Sequence, residues 1–402
     1  MKPQVLFVVD HEYNRCVRLK NQVTLLNRLG VDCHVVEFKF TGSQGIGKNV
    51  NANLTLHTIY APSILHKFRA LSAELPVFQA FVKVSLRKVF QTQPMSPDVV
   101  HCYNTFAWEG VHEFFNAWPT DNRPKLVVDF AEDLPSIMRE YDYVKRGLGS
   151  LLVNLKRWEK LQKKAVQCAN MCIVVTEEAA LDYCERYSVD RSKFLCINNL
   201  PGEELISRST ATHQSNKHPF TLLYFGDTSF RRGTDQLVRT APRIRKVIPE
   251  YEVIIVGHNN REQSSLQDLV NRHNCNSYVH LMGFQPEIDL PIYMARSSVG
   301  VSPLKRNRHH DTTHANKLFQ FMLGGLPLLV SNCTSQANLV RKHELGAVYE
   351  ANNDDDFVKT VIRMHRSPNE CDIWQRNALS YMDNHKLVDE IRRYEHRIRE
   401  TA

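Results

Sequence analysis

The sequence predicts an α/β protein of two doubly wound domains that face each other across a cleft. Three observations carry this expectation. Short β-branched apolar runs alternate with amphipathic helical patterns from end to end, which marks parallel sheets covered by helices on both faces. The chain has 402 residues, long for a single core. The alternation breaks once, at Pro201–Phe220, in a polar, turn-rich stretch that reads as a linker.

The strand runs follow in order. The first half offers Val5–Asp10, Cys33–Phe38, Leu54–Tyr60, Val99–Tyr103, Leu126–Phe130, Cys172–Thr176 and Phe194–Asn198. The second offers Thr221–Gly226, Glu252–Gly257, Val279–Gly283, Val299–Pro303, Leu328–Ser331 and Ala347–Glu350. Helical patterns at Val17–Leu29, Leu155–Ala169, Thr234–Val247 and Gln263–His273 lie between them. The expected organisation is a first domain over 1–200, a linker over 201–217 and a second domain over 218–380. A charged helix within 381–402 packs back on the first domain. Open parallel sheets bind ligands at the carboxyl ends of their strands, so the cleft is the default site.

Composition narrows the partners. A net charge of +8 leaves nucleic acid, anionic lipid and phosphorylated substrates open. The apolar run Val5–Val9 is too short for a secretory leader, and no stretch approaches the roughly eighteen apolar residues of a membrane span. The ten cysteines are scattered, mostly inside apolar runs, as expected of buried free thiols in a reducing cytoplasm. Cys168 and Cys172 have no second pair to complete a metal site.

The most informative segment is His314–Pro327, a short apolar helix ended by Gly324-Gly325 and Pro327. Lys317, Gln320 and Gly324 fall on one face of it. A cation and an amide on a buried stripe call for a polar ligand, and the helix start suits a phosphate. The other reading is a snorkelling lysine and a glutamine that caps a neighbour.

Five ordered stretches carry a resemblance. They are Leu223-Tyr-Phe-Gly226 with Arg232-Gly-Thr-Asp-Gln-Leu237, Pro249-Glu-Tyr-Glu-Val-Ile-Ile-Val-Gly257, Val279-His-Leu-Met-Gly-Phe284, Ser298-Val-Gly-Val-Ser-Pro-Leu304 and Asn316–Pro327. Together they resemble the retaining glycosyltransferases of family 4, of the surface-polysaccharide and lipopolysaccharide type. The resemblance implies the GT-B fold, with two Rossmann-like domains. In the first half, Pro97-Asp-Val-Val-His101, Leu126–Glu132, Ala169–Thr176 and Ile197-Asn-Asn199 resemble the acceptor domain more loosely.

The resemblance implies a nucleotide-diphosphate sugar donor, a glycan or lipid-linked acceptor, and no cofactor or metal. Arg232 and Lys317 are the implied stabilisers of the leaving diphosphate, with Arg231 as a neighbour able to substitute. The implied donor contacts are Gly226, Thr228, Arg231, Arg232, Gly257, Phe284, Asn316, Lys317, Leu318 and Gln320. Glu132 is a third implied catalytic residue, and His11, Asn14, Arg15, His101 and Asp129 are the implied acceptor contacts. Retention needs no nucleophile in the usual picture, because the leaving phosphate takes the acceptor's proton. Three positions depart from the family pattern. Gln320 and Thr312 stand where glutamates are usual, and Ala131 stands where a histidine is usual. Asp311 or Thr312 is an alternative sugar contact, Asp133 an alternative in the first domain. His309, His310 and His314 read as loop histidines rather than metal ligands.

Pro62–Phe90 mixes Lys67, Arg69, Lys83, Arg87 and Lys88 with apolar residues. It reads either as a surface for anionic membrane or as a packed helix with a solvated basic face. The leading expectation is a cytoplasmic, hexosyltransferase-like enzyme, peripheral on the inner face of the membrane, that builds bacterial surface polysaccharide and binds no nucleic acid. The alternative is a catalytically degenerate protein that binds nucleotide sugar or scaffolds a glycan-assembly complex.

Overall fold

The computed structural model describes residues 2–41, 45–51, 54–141, 144, 152–202, 205–206, 219–257 and 263–400. Most of the expected linker at 201–217 lies outside them. The chain forms two compact units. One runs to Asn198 and is joined by the residues from Val388 onward; the other is Asn199–Leu387.

The first unit holds eight strands: β1 (Gln4–Val9), β2 (Asp32–Lys39), β3 (Gly45–Asn51), β4 (Leu54–Tyr60), β5 (Val99–Tyr103), β6 (Lys125–Phe130), β7 (Met171–Val174) and β8 (Phe194–Cys196). Their order is β3-β4-β2-β1-β5-β6-β7-β8. All pair in parallel except β3, which runs antiparallel to β4. The described helices include α1 (Val17–Arg28), α2 (Ser63–Ala70), α3 (Val77–Thr92), α4 (Trp108–Asn116), α5 (Leu155–Cys168) and α6 (Glu177–Tyr187). The central strands are nearly continuous apolar runs because helices cover both faces. β3 was not expected, since Gly45-Ile-Gly-Lys-Asn-Val-Asn51 lacks an apolar run. The run expected at Cys172–Thr176 ends at Val174, because Thr176 caps α6 by accepting from the Ala179 N–H at 3.1 Å.

Helix α3 shows how the second half of the basic stretch packs. Phe78, Val82, Leu86 and Val89 are fully buried in the core of this unit. Gln79 clamps α3 to α4, accepting from the Gly110 N–H at 2.8 Å and donating to the Phe106 carbonyl at 2.7 Å. The apolar stripe therefore packs inward, and Arg87 and Lys88 stay exposed.

The second unit holds β9 (Thr221–Phe225), β10 (Glu252–Val256), β11 (Val279–Gly283), β12 (Val299–Ser302), β13 (Leu328–Ser331) and β14 (Gly346–Tyr349). The order β11-β10-β9-β12-β13-β14 is parallel throughout. Its described helices include α7 (Thr234–Arg245), α8 (Gln263–Arg272), α9 (Arg308–Asp311), α10 (Asn316–Leu323), α11 (Thr334–His343), α12 (Asp354–Arg366) and α13 (Pro368–Asn384). α10 lies so close to β12 that a Cβ on Gly300 would stand 2.4 Å from the Phe321 ring.

The last helix, α14 (Leu387–Arg399), packs on the first unit from Val388 onward. Ile391, Tyr394 and Ile398 are fully buried there. Among the described residues, no helix is long and apolar enough to cross a membrane.

Candidate functional site

At the end of β9, Gly226 leads through Asp227–Ser229 into a 3-10 turn, Phe230–Arg232, and then α7. Gly233 makes this turn possible. Its φ is +80°, and a Cβ there would lie 1.7 Å from the Pro303 carbonyl oxygen. At the end of β10, a Cβ on Gly257 would lie 1.7 Å from the Gly226 carbonyl. The missing Cβ atoms thus let the strand ends and the turn pack backbone against backbone.

Asp227 braces the turn. Its carboxylate accepts from the Ser229 N–H and hydroxyl, each at 3.0 Å, and from Arg231 at 2.8 Å. Arg232 Nε stands 3.9 Å from the same carboxylate. Thr228 is buried and its carbonyl accepts from the Thr234 hydroxyl at 2.7 Å, so its contribution is backbone.

Helix α10 supplies Lys317. Its Nζ lies 3.5 Å from the centre of the Tyr224 ring, a cation–π contact. Its Cε and Nζ would be 3.7 Å from a Cβ on Gly226. Burial, then the charges of Arg232 and Arg231, push the Lys317 amine well below the usual lysine range, with Asp227 opposing. Like charges crowded in a buried place destabilise one another, and a bound anion reverses that cost.

His309 and His310 stand beside this cluster on α9, at 4% and 0% exposure. They are not the loop histidines the sequence suggested. Burial and Arg232 hold His310 at about 4, and burial, His310 and the arginines hold His309 well below its ordinary value. His314 is also buried, its Nε2 3.3 Å from the Ser335 carbonyl. Among the described residues, no group of three or more His, Cys, Asp or Glu is arranged to hold a metal ion.

The remaining candidates in this unit divide. Gln320 donates to Glu287 at 2.5 Å. A carboxylate therefore lies one helical turn from Lys317, although position 320 itself lacks one. Glu287 was missed because the two residues are 33 apart in sequence. Tyr224 was missed as well, since it reads as one more apolar residue of β9. Asn316 is exposed at the start of α10, Leu318 is fully buried in the core, and Phe284 is 73% exposed after β11. Asp311 and Thr312 are half-buried and engaged within the unit. Asp311 accepts from the Thr334 N–H at 2.8 Å and pairs with Arg306 at 3.2 Å, while the Thr312 hydroxyl donates to the Arg308 carbonyl at 3.0 Å.

The first unit gathers a second polar cluster at its strand ends. Asp10 is fully buried and accepts from Arg69 at 2.8 Å and Asn104 at 3.2 Å, while His11 Nδ1 lies 2.9 Å away. Burial opposes protonation of His11, but its hydrogen bonds with Asp10 and Cys16 raise it to about 9. Its imidazolium is partly exposed. Asn14 is exposed, and exposed Arg15 pairs with Glu12 at 3.2 Å.

His101 and Asp129 are at 0% exposure rather than on an open surface. Asp129 accepts from Arg18 at 3.3 Å and Gln22 at 3.1 Å, with His101 Nε2 3.6 Å away. Burial opposes ionisation of Asp129, yet Arg18 and His101 hold it at about 2. His101 Nδ1 lies 2.9 Å from the Tyr394 hydroxyl of α14. These two residues anchor a helix. Glu132 is exposed on the loop after β6, beside Ala131, and Asp133 is buried against Ser136, Gln162 and Arg186.

Comparison with known proteins fits this geometry. Residues 219–367 match the family model described as glycosyl transferases group 1. No curated protein matches the chain in sequence. Solved structures match over its whole length. Sucrose-phosphate synthase from Thermosynechococcus elongatus aligns with a TM-score of 0.76 at 12% identity, covering 100% of both chains. HepE of Anabaena, in complex with UDP, aligns with a TM-score of 0.69 at 13% identity, again covering 100% of each. WaaG, a glycosyltransferase involved in lipopolysaccharide biosynthesis, aligns with a TM-score of 0.68 at 13% identity over 98% of this chain and 99% of its own. The fold is that of the GT-B glycosyltransferases.

Proposed function

We propose that the protein is a retaining glycosyltransferase of the family 4 type that moves a sugar from a nucleotide diphosphate to a hydroxyl acceptor. The observation that carries this reading is the convergence of Lys317, Arg231 and Arg232 around Tyr224 at the carboxyl ends of β9 and β10. Such a cluster fits a diphosphate, whose negative charge grows as the sugar–oxygen bond breaks. In the proposed step, the bond from the anomeric carbon to the phosphate oxygen breaks. The acceptor oxygen bonds that carbon on the same face, and its proton passes to the leaving phosphate. Lys317, Arg232 and the backbone at Gly226 hold the diphosphate. Exposed Glu132 and the half-exposed His11 imidazolium are the first-unit groups for acceptor contact. No metal is required in this scheme.

HepE, solved with UDP, and a trehalose-phosphate synthase described as UDP-forming support a nucleotide donor. The likeness to WaaG, described as involved in lipopolysaccharide biosynthesis, supports a role in surface-polysaccharide assembly. A second reading, binding without turnover, is favoured by Gln320, whose amide is engaged by Glu287. Thermal-shift assays with UDP, ADP and GDP, followed by hydrolysis of the matching nucleotide sugars, test both. Stabilisation with slow donor hydrolysis that survives EDTA is expected. A shift without hydrolysis, with acceptor sugars present, selects the second reading. No shift with any nucleotide overturns both. Membrane attachment is proposed only through the exposed basic side of α3, at Arg87 and Lys88. Equal binding to neutral and anionic vesicles at low salt would refute it.

A further inference from the structure

The donor-site reading leaves one feature unused: two buried imidazoles beside a cluster of cations, each with one unpartnered ring nitrogen among the described residues. His310 Nδ1 is 2.6 Å from the Lys305 carbonyl. A carbonyl only accepts, so Nδ1 carries the hydrogen and Nε2 of the neutral ring is a bare lone pair. Among the described residues, that Nε2 is buried and finds no hydrogen-bond partner, and the same holds for Nδ1 of His309 and one terminal nitrogen of Arg231. Buried polar atoms are normally satisfied, and three adjacent exceptions require an explanation.

We propose that His310, with His309 beside it, belongs to the anion site, and that its Nε2 takes a proton from solvent as a diphosphate binds. The new N–H then donates to a phosphate oxygen. The proposal rests on the donor-site reading and adds a protonation step to it. No other co-reactant is needed, since the proton comes from the buffer and returns when the anion leaves.

The charges around the rings explain why they resist that proton before an anion binds. Arg231, Arg232 and Lys317 all act against protonation of His310. The nearby carboxylates are engaged elsewhere. Asp227 accepts from Arg231 and Ser229, Asp235 pairs with Lys305 at 3.1 Å, and Asp311 on α9 itself is held by Arg306 and Thr334. Arg308, on α9 too, adds another positive charge. On α11 the first-turn residues Thr334, Ser335 and Gln336 are uncharged, and Arg341, Lys342 and His343 stand in its last turn. A diphosphate brings the missing negative charge, which lets the imidazole charge and turns its lone pair into a donor.

The test is calorimetric titration of the full chain with UDP, or ADP if UDP gives no heat, at pH 7–8.5 in buffers of different ionisation enthalpy. Roughly half to one proton should be taken up per nucleotide, and affinity should fall about three- to tenfold per unit rise in pH. His310→Gln carries a permanent amide donor, so its binding should be nearly independent of pH. His310→Asn keeps the bond to Lys305 but offers nothing at Nε2, so it should bind about three- to tenfold more weakly at pH 7. If either variant fails to fold, the histidine nitrogen resonances of the wild-type protein give the same answer. One buried ring should pass from neutral to doubly protonated on adding nucleotide. Binding without proton uptake overturns the inference and leaves the donor site standing. Uptake that persists in both His310 variants but disappears in Lys317→Met assigns the proton to the lysine and overturns it too. No binding of either nucleotide defeats the donor site and this inference together.

Discussion

At the scale of single residues, Lys317 is held in a state the folded protein tolerates poorly. Its amine is buried beside two arginines, and that environment favours the neutral form. The unfolded chain binds more protons there below the ordinary lysine range, so this residue makes stability rise with pH toward that range. Lys317→Met removes the buried amine and keeps the length of the side chain. It is expected to raise the melting temperature by a few degrees, roughly 2–4 °C for ~1 kcal/mol in a domain of this size. Nucleotide affinity should fall at least tenfold, about 1.4 kcal/mol. A variant that loses stability and keeps affinity would contradict the assignment. His11 has the opposite sign. Its raised folded value, about 9, means that the pair with Asp10 stabilises the protein fully below the unfolded value of about 6.5. That stability is lost as pH rises through 9. The difference in denaturation midpoint between wild type and His11→Ala should therefore be larger at pH 6 than at pH 9.5. The sequence exposed Lys317 because a cation on an apolar helix is anomalous. It misled at His101 and Asp129, because a polar residue in a strand reads the same whether it faces a ligand or anchors a helix.

Elements were more legible than contacts. Thirteen apolar runs announce their strands because a strand buried on both faces must be apolar along its length. β3 lacks that constraint and stayed hidden. In α3, the sequence showed basic and apolar residues mixed, but only the packing against α4 showed what Phe78, Val82 and Val89 touch. The turn between β9 and α7 is the element on which the site depends most. Gly233 holds a positive φ, and its missing Cβ makes room for the Pro303 carbonyl. Gly233→Ala must shift the turn that carries Arg231 and Arg232. It should cost roughly 1–3 kcal/mol and weaken nucleotide binding without removing any charge. Retained affinity at normal stability would show that the arginines are not positioned by this turn. The Glu287–Gln320 contact illustrates the limit of sequence reading. The departure at position 320 was plain, but the carboxylate that meets it comes from another element.

For the molecule as a whole, the chain's last helix governs the stability of its first unit. The charge pattern pointed to packing on that unit. What it could not reveal is how specific the docking is. The carboxylate of Glu390 accepts from the Asn198 N–H at 2.6 Å and from its side-chain amide at 2.9 Å. Tyr394 meets His101, and His101 meets Asp129, so α14 is wired to β5 and β6. Tyr394→Phe leaves His101 without that partner and should cost about 1–3 kcal/mol. Ending the chain after Leu387 removes Ile391, Tyr394 and Ile398 from the core, each worth about 1.5–3 kcal/mol. It also removes Glu390 from Asn198 and Tyr394 from His101. That sum is comparable to the whole stability of a typical domain, about 5–15 kcal/mol. The truncated chain is therefore expected to lose the cooperative melting of its first unit, while residues 199–387, which carry Lys317 and Arg232, keep a transition that nucleotide shifts upward. Calorimetry with and without UDP reads both at once. A truncated protein that melts like the full chain would mean that α14 is a passive tail, and that the buried contacts of Tyr394 and Glu390 add little to the fold.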